Sequence, residues 1–449
     1  MRSELNSFLF STPAMSRVFS AESQLRAMMQ FEWALTVALE KAGLADSGTA
    51  SVLESLLEAD FIDIELLSSE AKQSGNIAIP FVRQLANAVM ARNDRAERAV
   101  HLGATSQDVL DTALVLQIRK ALELLGADLE RVERALVRQI KLHADTVLSG
   151  RTWLQAGPPT TLGLKLAGTL AAMRRDRVRI RSARKRVLVL QFGGAVGTRA
   201  ALGEAGVQVG AEIARILKLE DPEIPWHTQR DNLAEMVQVL ALLTGTLAKF
   251  AKDIALLMQS EVGEAFELAD LERGGSSTMP HKHNPIACAA VLAVHATMPA
   301  LAATMLTAMP QEHERGLGLW QAEWESVPEA FRRTSAALAY TVEIAEGLEV
   351  APERMQANLD ASLGLPMAEA VSLALAQKIG RSEAHKVLKK VADGARREKK
   401  HLSEVLKQQP EVSAHLSSTE IDRLLDPRHY LGCAHQFIER VLGGADASH

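Results

Sequence analysis

Long stretches of this sequence have apolar residues at alternating spacings of three and four, and this period restricts the fold more than any other feature. Such spacing places the apolar side chains on one face of a long α-helix. Over residues 111–147 the apolar positions are Ile118, Leu122, Leu125, Leu129, Val132, Leu136 and Ile140. A second run, after residues 229–232, consists of Leu233, Val237, Leu240, Leu243, Leu247, Phe250, Ile254 and Leu257.

Three further segments also predict long helices, namely residues 160–189, the apolar segment after Pro285, and residues 328–349. Together the segments predict a central bundle of about five long helices. The composition agrees with this, because aromatic residues make up only 4% of the chain and the frequent Ala, Leu, Glu, Arg and Lys favour helix over sheet. The predicted fold class is therefore all-α, with three helical domains and a long central five-helix bundle.

A chain of 449 residues is too long for a single core. Residues 1–105 have short apolar periods interrupted by glycine and proline, which predicts a small N-terminal helical domain. Residues 106–350 contain the predicted bundle. Residues 351–449 have short helical patterns and a basic run, which predicts a C-terminal helical domain.

Charge and cysteine content argue against several classes of protein. A net charge of -5 gives no general reason to expect nucleic acid as a partner. Cys288 and Cys433 belong to no metal or redox motif, and the N-terminus lacks an apolar signal core, so we expect a cytoplasmic protein. Residues 286–309 lack Asp, Glu, Lys and Arg and are long enough to cross a membrane. Because this segment is rich in Ala and contains His295 and Pro299, we predict a helix buried in the bundle and no membrane contact.

Residues 274–285 read GGSSTMPHKHNP and predict a mobile loop with catalytic groups. The glycines allow backbone angles closed to other residues, and the prolines fix φ. Ser276, Ser277, Lys282 and Asn284 provide hydroxyl, ammonium and carboxamide donors, which suit a small polyanion whose charge grows during a reaction. The simpler alternative is a helix start, with Asn284 as the N-cap and Pro285 at the first helical position.

Residues 101–112 read HLGATSQDVLDT and precede the first long helix. Thr105 and Ser106 place hydroxyls and backbone donors at a predicted helix N-terminus, which favours a bound carboxylate. The alternative is ordinary capping by Ser106, with Asp108 and Asp111 complementing the helix dipole.

These strings, together with GRTWLQAGPPTTL at residues 150–162, resemble the motifs of the fumarase/aspartase superfamily. The resemblance spans nearly the whole chain and implies an all-α fold with a signature loop at residues 272–285. It implies that Ser276 exchanges a carbon-bound proton, while Lys282 and Asn284 bind the activating carboxylate and stabilise an aci-carboxylate. The substrate contacts that it implies are His101, Thr105, Ser106, Thr152, Trp153, Gln155, Arg230, Ser277 and Met279.

Two departures from the lyase pattern indicate a subfamily. Trp153 stands where the lyases commonly have a histidine, and Gly75 and Asn76 stand where adenylosuccinate lyases have a His-Asp pair. A tryptophan cannot donate a proton to a leaving group at neutral pH. The strings SGNIAIP, GATSQDVLDTA and DPRHYLG look like those of bacterial 3-carboxymuconate cycloisomerases.

That likeness implies lactonisation of 3-carboxy-cis,cis-muconate, in the protocatechuate branch of aromatic degradation, without a cofactor. It also implies a homotetramer whose active sites take segments from three different subunits. In the reverse direction the leaving group is a tethered carboxylate with a pKa of about 4, which needs no general acid. Two alternatives stay open: a lyase of the adenylosuccinate or argininosuccinate type, which lacks its histidines here, and a catalytically silent oligomer such as a lens crystallin.

Four other features have simpler interpretations. His281 and His283 lack a third ligand, so we expect no metal. Arg230 is a candidate carboxylate clamp by resemblance, or else part of an exposed ion pair at a helix start. GGAVG at residues 193–197 follows a helix rather than a strand, which indicates a break between helices and not a nucleotide site. The arginine-rich residues 174–186 predict salt-bridged faces or subunit contacts.

Overall fold

A computed structural model describes residues 9–58, 61–268, 279 and 282–444. The first part of the chain forms five short or medium helices: α1 (Pro13–Val18), α2 (Ala21–Lys41), α3 (Thr49–Glu54), α4 (Ile64–Ser74) and α5 (Ala78–Met90). A hairpin and the longer helices follow: α6 (Ser106–Leu142), β1 (Val147–Thr152), β2 (Gln155–Thr161), α7 (Leu162–Val187), α8 (Gly206–Leu217) and α9 (Asp231–Leu257).

The next elements are β3 (Ala265–Phe266), α10 (Ile286–Ala308), α11 (Leu319–Glu346) and β4 (Glu349–Val350). The chain ends in short helices: α12 (Pro352–Asp360), α13 (Ala368–Ile379), α14 (Arg381–Glu398), α15 (Leu402–Gln408), α16 (Pro410–Ser413), α17 (Ser418–Leu425) and α18 (Ala434–Gly443). Short 3₁₀ turns connect several of them. The C-terminal helices have a core of their own, formed by buried residues such as Val371, Leu375, Leu388, Leu402 and Leu406.

The long helices α6, α7, α9, α10 and α11 confirm the predicted set, although the ends of two of them were wrong. Helix α6 runs from Ser106 to Leu142, because residues 143–146 form a turn that leads into β1. Helix α11 begins at Leu319, so Pro328 lies inside it and not at its start.

Two small antiparallel pairs interrupt the helices, and neither was predicted. Strands β1 and β2 form a hairpin whose register shifts between Ser149 and Arg151. Gly150 lies at that irregularity, where an added Cβ would approach the carbonyl oxygen of Pro158 to 2.5 Å. Strand β3 pairs with β4 over two residues each.

Helix α10 is less covered than predicted. By length and composition α9 and α10 are each apolar enough to cross a membrane, and residues Pro352–Asp360 with Leu365–Ile379 could form a third, bent span. Within the chain 61% of the most apolar window of α9 is buried, but only 33% of that of α10. The prediction that α10 is buried is therefore wrong for a single chain, since only a third of its most apolar window is buried among the described residues.

The chain divides into two compact units. Unit 1 comprises Met1–Asp128, Asp176–Gly245 and Ala293–Ala339, and unit 2 comprises Leu129–Arg175, Thr246–Leu292 and Tyr340–His449. The boundaries fall inside all five long helices, so each helix contributes a segment to both units. This division cuts across the three predicted domains, which stay a prediction.

The arginines of α7 pair with acidic side chains, as predicted for salt-bridged faces. In unit 2 the Nε of Arg174 lies 2.7 Å from Oε1 of Glu133. In unit 1 the Nη2 of Arg186 lies 2.5 Å from Oε1 of Glu235. One arginine at each end of the basic run therefore has an acidic partner on the same chain.

Candidate active site

The start of α6 is held in place by one carboxylate, that of Asp108. Its oxygens accept the backbone N–H groups of Thr105 at 3.0 Å and of Gly193 and Gly194 at 2.9 Å each. Nε2 of His227 lies 2.7 Å from the same carboxylate. Asp108 is fully buried, so it does more than complement the helix dipole. It fixes the segment of Thr105 and Ser106 against the 193–197 loop, which is the predicted break between helices.

An arginine that the sequence did not reveal lies beside this segment. Nη1 of Arg315 donates to Oε1 of Gln107 at 2.7 Å, and Nη2 donates to the carbonyl oxygens of Ala195 at 2.7 Å and Gly194 at 3.3 Å. Burial lowers the pKa of Arg315, while the charges of Asp108 and Asp111 act in the opposite direction. Arg315 lies in the loop before α11, outside any motif, so nothing in its local sequence marks it.

His101 is held by a buried glutamate. Its backbone N–H donates to Oε2 of Glu32 at 3.0 Å, and its Nδ1 lies 2.5 Å from Oε1. Burial by itself would lower the pKa of His101, but the charge and hydrogen bond of Glu32, with a smaller effect of Asp108, outweigh it and raise the pKa. The backbone of His101 has φ of 57°, a conformation that costs a non-glycine residue about 1–3 kcal/mol.

Arg230 has no free side to offer a substrate. Its guanidinium is 1% exposed and lies between two carboxylates, with Nη1 and Nη2 bonded to Asp111 at 2.6 and 3.0 Å, and Nε and Nη2 bonded to Glu323 at 2.5–3.1 Å. Burial opposes its charge, but Asp111 and Glu323 outweigh burial and raise the pKa of Arg230. The structure therefore places Arg230 in an ion pair, which was the alternative to a carboxylate clamp. We expected that ion pair to be exposed, but it is buried.

A cavity of about 610 Å³ lies in unit 1 next to Leu110 and Asp111, in the second turn of α6. The other residues that line it include Ile77, Gln321 and Trp324. The indole Nε1 of Trp324 is buried and has no hydrogen-bond partner among the described residues. A cavity with this lining can hold a small organic molecule, and its lining residue Leu110 lies one turn along α6 from Ser106, although no predicted substrate contact is among the described lining residues.

The 150–162 motif forms the β1–β2 hairpin in unit 2. Trp153 and Leu154 make its two-residue loop, with φ of 53° and 63°, as type I′ turns require. Thr152 and Gln155 flank the loop and are exposed, and Trp153 is 96% exposed. Arg151 anchors the hairpin through two bonds, of 2.8 and 2.6 Å, to the buried carboxylate of Glu264. The predicted contacts Thr152, Trp153 and Gln155 thus lie at the tip of a hairpin that the Arg151–Glu264 ion pair anchors.

The signature loop is described only in part. Ser276, Ser277 and His281 lie outside the described residues. Met279, Lys282 and Asn284 line a cavity of about 770 Å³ in unit 2, together with Glu267 and Glu349 and with Met258, Gln259, Phe266 and His283. Among the described residues no group of three His, Cys, Asp or Glu side chains could hold a metal ion. The expectation of a metal-free loop is still a prediction.

A carboxylate from the chain itself occupies the start of α10. The oxygens of Glu267 accept the backbone N–H groups of Ala287 and Cys288 at 3.0 Å each. Helix α10 begins at Ile286, after Pro285. The predicted start at Pro285 was therefore off by one position. The carboxylate of Glu267, 19 positions before Ile286 in the sequence, caps the helix.

The comparisons with known proteins agree with these motifs. The sequence profile of a family described as lyase matches residues 7–298, and that of the adenylosuccinate lyase C-terminus matches residues 364–441. The chain belongs to the lyase family. The fumarase/aspartase resemblance drawn from the motifs is thereby confirmed, and so is the all-α fold.

Three members of this lyase family are closely similar to the chain. The 3-carboxy-cis,cis-muconate cycloisomerase of Pseudomonas aeruginosa is 49% identical over 433 residues, which is 96% of this chain and 94% of that protein. The crystal structure of 3-carboxy-cis,cis-muconate lactonizing enzyme from Pseudomonas putida has a TM-score of 0.94 at 47% identity and covers 99% of both chains. That of the cycloisomerase from Acinetobacter calcoaceticus has a TM-score of 0.93 at 39% identity, covering 98% of this chain and 100% of that one.

Proposed function

We propose that this member of the lyase family is a cycloisomerase that converts 3-carboxy-cis,cis-muconate to 4-carboxymuconolactone. The proposal rests on the full-length likeness to the P. putida lactonizing enzyme, at 47% identity with 99% of both chains covered. One carboxylate of the triacid adds to a double bond, which closes the lactone, and the carbon next to another carboxylate takes up a proton. No atom leaves and no redox change occurs, so the reaction requires no co-substrate.

The residues present suit this chemistry better than an amine elimination. When the lactone opens, the leaving group is a carboxylate with a pKa of about 4, which departs without protonation. Trp153 stands where the lyases have a histidine, and an indole cannot supply that proton. We assign the exchange of the carbon-bound proton to Ser276, and the stabilisation of the aci-carboxylate to Lys282 and Asn284.

Apart from the signature loop, the start of α6 provides hydrogen-bond donors for a substrate carboxylate. The segment of Thr105 and Ser106 is rigid because Asp108 holds it, and the cation of Arg315 lies beside it. Preorganised donors of this kind stabilise negative charge without reorganisation during the reaction. His101 lies at the same segment, and the charge and hydrogen bond of Glu32 raise its pKa, which favours the protonated, donating form of the ring.

We further propose a cytoplasmic homotetramer with shared active sites. Two observations support additional chains. Only 33% of the apolar window of α10 is buried in one chain, and a tryptophan that is 96% exposed at a hairpin tip leaves a large apolar surface in water. A neighbouring subunit would cover both and would bring the hairpin arm to another chain's substrate contacts. Size-exclusion chromatography with light scattering, in buffer without detergent, tests this; a stable monomer would contradict it.

The decisive experiment follows the ultraviolet absorbance of 3-carboxy-cis,cis-muconate in the presence of the purified protein. Adenylosuccinate and argininosuccinate are assayed in parallel. We expect rapid loss of the muconate absorbance and no cleavage of either succinate. Consumption of a succinate but not of the triacid would support the lyase alternative, and no turnover of any compound would support the silent oligomer.

Two loop variants then test the assignments. Ser276→Ala should lower kcat by about 10²–10⁴-fold if its hydroxyl exchanges the proton, and Lys282→Ala should lower kcat/KM by a similar factor. If Ser276→Ala kept near-normal turnover while Lys282→Ala abolished it, the proton-transfer role would belong to another residue.

A further inference from the structure

Glu32 is a buried carboxylate that no sequence motif marks. It lies on α2 with 0% exposure, and both of its oxygens face a single residue, His101. One oxygen accepts the backbone N–H and the other accepts Nδ1–H of the ring. A buried carboxylate needs a partner with which it shares charge or hydrogen bonds. Two contacts to one residue fix both the backbone and the ring of that residue.

The consequence for His101 is a defined tautomer. Because Nδ1 points at a carboxylate, the proton on that nitrogen is held there, and Nε2 is the nitrogen left to meet a ligand. The side chain of His101 is 17% exposed, and its Nε2 has no hydrogen-bond partner within the part of the chain that the structure describes. Its left-handed backbone, with φ of 57°, directs the chain into the Thr105 and Ser106 segment.

We propose that Glu32 is a positioning residue, which holds Nδ1 of His101 so that Nε2 faces a substrate carboxylate bound at the start of α6 and donates to it from the protonated ring. This inference rests on the proposed function and adds the residue that fixes the orientation of His101 and favours its protonated form. Glu32 itself does not touch substrate, because its carboxylate lies behind the ring and is fully buried.

Two acidic groups from different elements act on His101. Glu32 from α2 is in direct contact, and Asp108 from α6 acts from a greater distance. Asp108 is itself shared by His227 and three backbone amides, and it lies within the electrostatic reach of Arg199 and Arg315. The negative charge of Asp108 is therefore largely balanced by these other groups. Loss of the Glu32 charge should remove most of the support for the protonated form of His101.

The first test measures His101 without any substrate. Hydrogen–deuterium exchange at imidazole Cε1–H, followed by mass spectrometry of the His101 peptide, gives the pKa of this one histidine among the 13 in the chain. Glu32→Gln should lower that pKa by about one unit or more, because it removes the adjacent negative charge. Thr36→Val is the matched control. It lies one turn along α2, is equally buried, and loses a bond to the carbonyl oxygen of Glu32 without touching His101.

The second test measures turnover of 3-carboxy-cis,cis-muconate as a function of pH. In Glu32→Gln we expect KM to rise about tenfold at pH 8 with kcat within about threefold, and this rise in KM to become smaller as the pH is lowered and more of His101 is protonated. His101→Asn, which tolerates a positive φ, should raise KM at every pH. Asparagine keeps a donor for Glu32, so this variant also serves if Glu32→Gln does not fold.

The outcomes distinguish a failure of the proposed function from a failure of the positioning role of Glu32. If the wild type does not consume the triacid, the proposed function fails, but the exchange experiment still tests Glu32. If the pKa of His101 is the same in Glu32→Gln and wild type, or if Thr36→Val shifts it equally, the positioning role is wrong. A pH-independent KM in Glu32→Gln, or an unchanged KM in His101→Asn, would also overturn it.

Discussion

Replacing Arg230 distinguishes its two interpretations, a buried ion pair and a substrate clamp, because they predict opposite results for stability and for KM. In the structure its guanidinium makes five hydrogen bonds to Asp111 and Glu323 and is 1% exposed. Arg230→Met removes the only cation that these two carboxylates contact directly within the described residues. It fills the space with a neutral side chain but leaves both carboxylates buried.

The expected cost is large. Breaking a buried ion pair by removing one partner costs about 3–5 kcal/mol, and one cation serves two carboxylates here, so we expect about 5 kcal/mol, at the upper end of that range. For a unit of this size each kcal/mol lowers Tm by about 2–4 °C, which gives a fall of about 10–20 °C. Thermal unfolding followed by circular dichroism measures it. The surface pair of Arg186 with Glu235 provides the control, because Arg186→Met should cost at most about 1 kcal/mol.

The pH dependence gives a second check. Burial raises the pKa of Glu323 and Arg230 opposes this rise, so without the arginine the pKa of Glu323 lies further above the unfolded value of about 4. The unfavourable contribution of Glu323 is then absent below the unfolded value and grows as the pH rises through the raised pKa. The Tm deficit of Arg230→Met should therefore be smaller at pH 5 than at pH 8. If Tm changed by less than about 3 °C while KM rose steeply, Arg230 would be a substrate clamp and our argument would be refuted.

Three further predictions concern other parts of the molecule. Trp153→Phe should keep kcat within about threefold, since no proton is transferred at that position, and a hundredfold loss in the absorbance assay would mean that the indole has a chemical role. Burial raises the pKa of the Cys288 thiol, so iodoacetamide at pH 8 should label exposed Cys433 and spare Cys288 in the native protein. Peptide mass spectrometry measures the labelling, and equal labelling of the two cysteines would contradict the burial of Cys288. Arg151→Met should lower Tm as expected for a loss of about 3 kcal/mol, because it leaves Glu264 buried without its cation; an unchanged Tm would show that the hairpin does not need this anchor.

The long helices were predictable because their apolar period is a local property of the sequence. Residues 118–140 and 233–257 repeat it many times, so single exceptions do not obscure it. Helix ends depend on fewer residues and were less certain, as Pro328 inside α11 demonstrates. The hairpin at residues 147–161 was missed because its glycines and prolines suggested a loop, and its strands have no apolar alternation.

The charged contacts of the site could not be derived from sequence in the same way. Arg230 pairs with residues 119 positions before it and 93 positions after it. No spacing rule connects such residues, and the same is true of Glu32 with His101, which are 69 positions apart. The exposure of α10 has a different origin, since a sequence indicates that a helix is apolar but not which chain covers it.

Asp108 has a consequence for how this substrate segment can evolve or be redesigned. One carboxylate joins three stretches that are far apart in the chain, at Thr105, at Gly193 and Gly194, and at His227. A Cβ added at Gly193 would lie 2.7 Å from the ring of His227, so a side chain there would displace the histidine. We therefore expect a loop exchanged from a homologue at residues 101–108 to keep its position only if it also carries an acidic side chain that reaches the backbone of residues 193 and 194 and the ring of His227.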